Sequence, residues 1–167
     1  MRTEVRGVVE MQTEGPSAQE SGAVVRIAES VVIERPVAEV FAFAGAYEND
    51  PRWRAGVVEM RQDHRGSPRV GTTTHEVMRL FGQRQVTVAK VVEYEPNERT
   101  AFESVEGPMP VRGYRAFEAS GEGTRFTYEF SAVPTPLYRL LSPILAPILR
   151  RQVSGDLKRL KALLEGG

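Results

Sequence analysis

The chain has 167 residues, and its 22 basic and 22 acidic side chains give a formal net charge of zero, so no overall field draws it to nucleic acid. The absence of cysteine excludes disulfides, thiolate metal ligands and a cysteine nucleophile. No apolar run reaches the about 18 residues of a membrane span, and charged residues interrupt the N-terminus where a signal peptide has its apolar core. We therefore expect one domain, located in the cytoplasm.

The N-terminal part divides into a leader and the start of the domain. Residues 1–22 are polar and lack periodicity, which predicts a flexible leader, with the domain over residues 23–165. Residues 24–34 are mostly β-branched or apolar and predict a first strand. Pro36 suits the first turn of a short helix that ends at Gly45. Asn49 and Asp50 before a proline predict the cap of a second short helix, which carries Trp53.

Six further strands are predicted between residues 57 and 133. Apolar and β-branched runs alternate there with turn sequences rich in glycine, proline and asparagine. Loops this short join neighbouring antiparallel strands, so the pattern predicts a meander. The predicted runs cover residues 57–63, 72–80, 84–94, 100–105, 111–118 and 124–133.

The C-terminal segment predicts one long helix. From Leu137 to Leu164 apolar residues recur at steps of one, three and four, which is the period of one helical face. Only a curved sheet could bury a stripe of that length, and we expect space between sheet and helix. Pro143 and Pro147 are expected to bend or loosen its first half. The opposite face carries many basic residues, which leaves transient contact with an anionic membrane as an alternative to simple solvation.

This order of elements resembles a known superfamily. The sequences ESVVIERPVAEVFAFAGAYENDPRW, VVEYEPNERTAF, GEGTRFTYEF and LKRLKALLE look like the START-like helix-grip (SRPBCC) superfamily, in particular its bacterial polyketide cyclase/dehydrase and lipid-transport group. The resemblance implies an α+β fold, in which a seven-stranded antiparallel sheet wraps around the C-terminal helix and encloses an apolar cavity. It implies a hydrophobic ligand, such as a lipid, a quinone or a polyketide.

Strand alternation indicates which side chains face inward. The last strand places Tyr128 and Phe130 on the face toward the helix. On the preceding strand, Phe117 carries Arg115 inward with it, and a buried guanidinium needs a counter-charge or a polar ligand. The alternative is a bulge near Gly113 that turns Arg115 to solvent and Tyr114 inward.

The strand over residues 72–80 offers a possible partner for that arginine. The family pattern favours Met78 inward, and Glu76 shares its face, while His75 falls on the outer face. Glu76 would then pair with Arg115 to hold a polar ligand group, or act as a general acid or base. A purely structural ion pair and an edge position open to water are the alternatives.

These patterns lead to a hypothesis of function. Two separated histidines give no metal-site spacing, and no nucleotide-binding motif is present, so neither metal nor cofactor is expected. We predict a monomeric or homodimeric carrier of a hydrophobic small molecule. The alternatives are a polyketide cyclase/dehydratase, with catalytic candidates Glu76, Arg115 and Tyr128, and a protein-interaction module without a closed pocket. The predicted ligand contacts are Trp53, Glu76, Met78, Phe102, Arg115, Tyr128, Phe130, Leu141 and Leu145.

Overall fold

A computed structural model describes residues 24–167 and shows one antiparallel sheet and a long C-terminal helix. The predicted leader, residues 1–22, lies outside the described residues. The strands follow the predicted runs closely, and they are β1 (Val25–Ile33), β2 (Val57–Gln62), β3 (Thr73–Leu80), β4 (Gln83–Glu95), β5 (Arg99–Glu106), β6 (Val111–Ser120) and β7 (Gly123–Ala132).

The sheet is the predicted meander, closed at one side by the first strand. Its spatial order is β1-β7-β6-β5-β4-β3-β2, and every neighbouring pair is antiparallel. The β3–β4 hairpin turns through Phe81 and Gly82, both with positive φ, which suits the right-handed twist of the flanking strands. The pairing of β6 with β7 is unbroken from Val111 to Ser120, so the alternative of a bulge near Gly113 is wrong.

Two short helices follow β1, as predicted. They are α1 (Val37–Ala44) and α2 (Asp50–Trp53), with a 3₁₀ turn over Tyr47–Asn49 between them. The expected side-chain cap is not formed. Asn49 has helical rather than extended backbone angles, and its side-chain amide donates to the carbonyl oxygen of Phe43. Since α2 is only four residues long, packing rather than capping holds it in place.

The C-terminal helix, α3 (Pro136–Glu165), is continuous through Pro143 and Pro147. Its second half is buried through Val153, Leu157 and Leu160, which join the core formed with β1, β6, β7, α1 and Trp53 of α2. Ala55, after α2, donates its backbone N–H to the Asp156 carboxylate at 2.9 Å. Within residues 24–167 no helix is long and apolar enough to cross a membrane.

The first half of α3 differs from the prediction that the whole apolar stripe is buried. Leu137, Leu140 and Ile144 are 67, 78 and 65 % exposed. We call this face the exposed stripe, and it consists of Leu137, Leu140, Leu141, Ile144 and Ile148. Helical periodicity shows that one face is apolar, but it does not show whether the sheet extends far enough to cover that face.

The two halves of α3 should respond differently to the same substitution. We expect Leu160→Ala to lower the free energy of unfolding by about 2–5 kcal/mol, because it leaves a cavity in the core. Leu140→Ala, on the exposed stripe, should change it by less than about 0.5 kcal/mol. Urea denaturation of both variants measures this difference, and equal losses would contradict the assignment of core and surface.

Candidate functional site

A cavity of about 170 Å³ lies between the sheet and the first half of α3, and we call it the apolar cavity. Its wall is formed by strands β1 and β3–β7, the loop before β6 and one side of α3. The lining is mostly apolar and includes Met78, Leu80, Phe81, Phe102, Met109, Val111, Phe130, Ala132, Tyr138, Leu145 and Leu149. Polar groups, from Arg54, Glu76, Gln85, Thr87, Tyr128 and Ser142, are fewer.

Most of the predicted contact residues lie at this cavity. Six of them line it, namely Glu76, Met78, Phe102, Tyr128, Phe130 and Leu145. The placement of Trp53, Leu141 and Arg115 differs from the prediction, since none of the three lines the cavity. Trp53 is fully buried in the core against Phe126 and Tyr128, and Leu141 belongs to the exposed stripe.

Arg115 points inward, as strand alternation predicts, and it is 1 % exposed. Its Nη2 donates to Asp50 Oδ2 at 2.5 Å, and its Nη1 donates to the carbonyl oxygen of Ala44 at 2.7 Å. The guanidinium also lies 4.4 Å from the ring centre of Tyr47 and 5.4 Å from that of Trp53. A carboxylate, a carbonyl and aromatic faces therefore stabilise the buried charge.

The predicted pair of Glu76 with Arg115 is wrong, because each residue has another partner. Glu76 accepts a short hydrogen bond from Arg54 Nη1, and the same nitrogen donates to Asp50 Oδ2 at 2.9 Å. Asp50 Oδ2 thus lies between two arginines, and Arg54 bridges two carboxylates. Two positive and two negative side chains form one buried cluster of zero net charge, which we call the charge cluster.

Sequence reasoning missed two members of the charge cluster, Asp50 and Arg54. Their spacing of four residues places them on one face of a helix, which is a usable signal. A carboxylate directly before a proline is also typical of a helix cap, so the spacing alone does not single out a buried pair. Helix α2 turns against the sheet, and this turn brings Arg54 to Glu76 of β3 and Asp50 to Arg115 of β6. The periodicity of the sequence does not indicate this turn.

Burial and charge act in opposite directions on the cluster. Burial lowers the pKa of Arg54, but Glu76, Tyr128 and Asp50 outweigh it, so that this pKa lies well above its usual value. Burial likewise lowers the pKa of Arg115, but the Asp50 carboxylate outweighs burial, so this pKa lies above its usual value. Burial raises the pKa of Tyr128 to about 12, against the opposing effect of the two arginines. The phenol therefore stays protonated at neutral pH and is available as a hydrogen-bond donor.

A second, smaller space of about 30 Å³ adjoins the apolar cavity, and we call it the polar chamber. The two spaces share four lining residues, Arg54, Glu76, Thr87 and Phe102, which therefore lie where the spaces adjoin. The remaining lining of the polar chamber comes from Tyr47, Asp50, Met60, Thr74, Ala89 and Arg115. Within the part of the chain that the structure describes, no three histidine or acidic side chains converge on a metal-binding geometry.

The architecture and the cavity agree with what comparison of the chain with known proteins shows. The model of the family described as "Polyketide cyclase / dehydrase and lipid transport" matches residues 24–165. The chain belongs to this family, and the resemblance to the START-like helix-grip superfamily is confirmed. Family and fold together indicate a protein that binds hydrophobic ligands.

Individual relatives are distant. An uncharacterized 17.2 kDa protein of Streptomyces lincolnensis is 26 % identical over 141 residues, which are 84 % of this chain and 89 % of that protein. The crystal structure of TTHA0849 from Thermus thermophilus superposes with a TM-score of 0.72 at 21 % identity, covering 84 % of this chain and 97 % of that one. The Zhui aromatase/cyclase of Streptomyces sp. R1128 gives a TM-score of 0.70 at 13 % identity, covering 85 and 94 %. At these identities the two structures support the fold alone.

The charge cluster should be sensitive to the loss of one carboxylate. We expect Asp50→Asn to lower the free energy of unfolding by about 3–5 kcal/mol, because it leaves a buried arginine without its counter-charge. Arg26→Gln breaks the exposed Arg26–Glu129 pair and serves as the control, with little change expected. Denaturant unfolding measures both, and a small effect of Asp50→Asn would contradict the central role of this carboxylate.

Proposed function

We propose that the protein binds one hydrophobic small molecule in the apolar cavity and carries or sequesters it. The observation that supports this best is the composition of the wall, where apolar side chains predominate and Arg54 lies against both Glu76 and Tyr128. Burial of apolar ligand surface supplies the free energy of binding at about 25 cal/mol per Å². The polar groups of Arg54, Glu76 and Tyr128 then orient one end of the ligand.

Carriage is favoured over catalysis by the engagement of the candidate groups. Arg115, one of the catalytic candidates, binds Asp50 and a backbone carbonyl and does not reach the apolar cavity. Glu76 is held by Arg54, and an arginine does not give up its proton at accessible pH. The fixed charges are therefore suited to orienting a ligand, which favours binding without turnover.

Ligand binding can be measured with the fluorescent probe N-phenyl-1-naphthylamine. We expect saturable binding of one probe per chain, and Leu145→Trp should weaken it by at least about tenfold because the larger side chain fills the cavity. Leu140→Trp makes the same change on the exposed stripe of the same helix and should leave the affinity unchanged. Absence of saturable binding, or equal effects of both variants, would contradict the proposed cavity.

The exposed stripe supports a second proposal, that α3 makes transient contact with an anionic membrane. Between Pro136 and Gly155 the helix carries three arginines and no acidic residue. Phe81, at the tip of the β3–β4 turn, is also exposed, and it lines the apolar cavity together with Tyr138 and Leu145 of α3. Apolar residues flanked by cations are typical of helices that lie in an anionic interface. Burial of the exposed stripe in a dimer would instead pair two such helices and bring their arginines, which are like charges, together.

Membrane contact can be tested by co-sedimentation with vesicles. We expect binding to vesicles that contain phosphatidylglycerol, with weaker binding in high salt and to pure phosphatidylcholine. Ile144→Glu should weaken it by about tenfold, since burial of one isoleucine contributes about 1.5 kcal/mol or more. Leu163→Glu is the matched control, because Leu163 is an exposed apolar residue of the anchored half of α3. Equal binding to both vesicle types, or equal loss in both variants, would exclude this surface.

A further inference from the structure

Two residues that line the polar chamber carry buried polar atoms that the charge cluster leaves without partners. Among the residues described by the structure, Asp50 Oδ1 and Arg115 Nε are buried and form no hydrogen bond. Both residues line the chamber, and both are at least 99 % buried. Buried polar atoms in folded proteins nearly always have a partner, so a group with hydrogen-bonding capacity is expected in this space.

The two atoms define the chemistry of that group. Asp50 Oδ1 is an acceptor and needs a donor, whereas Arg115 Nε carries a hydrogen and needs an acceptor. A hydroxyl group or a water molecule satisfies both requirements with one oxygen. A carbonyl oxygen satisfies only the arginine, and an ammonium group satisfies only the carboxylate.

The charge of its lining and the size of the chamber further limit which group can bind there. The two arginines of the charge cluster are balanced by two carboxylates, so the chamber offers no excess charge to an anion or a cation. A buried site needs roughly 10–15 Å³ to hold one water, and the chamber measures about 30 Å³. One or two neutral oxygen-bearing groups fit, and a carboxylate or phosphate does not.

We propose that the polar chamber is a binding site for a neutral hydroxyl group, occupied by water in the ligand-free protein and by a hydroxyl of the bound ligand when the apolar cavity is loaded. This inference rests on the proposed function, since it assigns the polar end of the same ligand. The shared lining residues Arg54, Glu76, Thr87 and Phe102 place the chamber next to the apolar cavity. The site therefore selects hydrophobic alcohols or phenols over ketones and fatty acids of equal length.

The selectivity can be tested with three probes that share a ten-carbon chain, namely 1-decanol, 2-decanone and decanoate, each competing against N-phenyl-1-naphthylamine. We expect 1-decanol to bind about tenfold more tightly than 2-decanone, because the ketone leaves Asp50 Oδ1 unpaired. Decanoate should be the weakest of the three, since its carboxylate has no hydrogen to donate to Asp50 Oδ1 and the neutral charge cluster offers no counter-charge. Equal affinities of alcohol and ketone would overturn the proposal.

Two matched variants separate this proposal from the proposed function. Ala89 lines the polar chamber only, and Ala132 lines the apolar cavity only, so Ala89→Val and Ala132→Val add the same two methyl groups to one space or the other. Ala89→Val should abolish the preference for the alcohol while 2-decanone still binds, whereas Ala132→Val should weaken all three probes and keep the preference.

If the preference survives in Ala89→Val, the chamber is not the hydroxyl site, although the cavity remains a ligand site. If no probe binds the wild-type protein, the proposed function fails and the assignment of a ligand hydroxyl fails with it.

The occupant of the ligand-free protein has its own readout. A crystal structure at high resolution should show an ordered water within hydrogen-bonding distance of both Asp50 Oδ1 and Arg115 Nε, and the water should be lost or displaced in Ala89→Val. Absence of that water in the wild-type protein would overturn the water-binding half of the proposal, whatever the probes show.

Discussion

A buried charge has to be neutralised where it lies, and this requirement fixes how the short helices sit on the sheet. One carboxylate oxygen, Asp50 Oδ2, accepts a hydrogen bond from Arg54, four residues further along the chain, and another from Arg115 of strand β6. Arg115 also binds the carbonyl at the end of helix α1. Helices of eight and four residues have little stability of their own, so these bonds, together with packing of Trp53, hold them against the sheet. All four residues of the charge cluster also line the polar chamber.

Much of the fold could be predicted from the sequence because its signals are local. Turn residues separate the strands, alternation gives the inward row that includes Arg115 and Tyr128, and the helical period identifies α3. The partners of the inward charges could not be predicted in this way. Glu76 was matched to Arg115 because both face inward on strands, whereas the actual partners come from α2, whose orientation depends on tertiary packing. A buried arginine signals that a carboxylate is near, but alternation does not say which one.

Which half of α3 is buried is a second feature that local sequence patterns could not predict. Val153, Leu157 and Leu160 repeat with the same spacing as Leu137, Leu140 and Ile144, yet the first set is buried and the second is exposed. Periodicity describes the helix alone, while burial depends on what the sheet presents opposite it. The sheet closes on the second half through β1 and on the first half only along the side that lines the apolar cavity. Leu145, one of the predicted ligand contacts, lies on that side.

The two prolines within α3 give this arrangement a consequence for local unfolding. Pro143 and Pro147 have no N–H to donate, so the carbonyl groups of Arg139 and Pro143 lack their usual intrahelical donors four residues ahead. The part of the helix that covers the apolar cavity is therefore held by fewer backbone hydrogen bonds than the part anchored in the core. We therefore expect this segment to open in hydrogen exchange at a lower free energy than the whole domain. Replacing either proline with alanine would restore a backbone donor and make the cover open less often, while the cavity lining, to which neither proline contributes, stays the same.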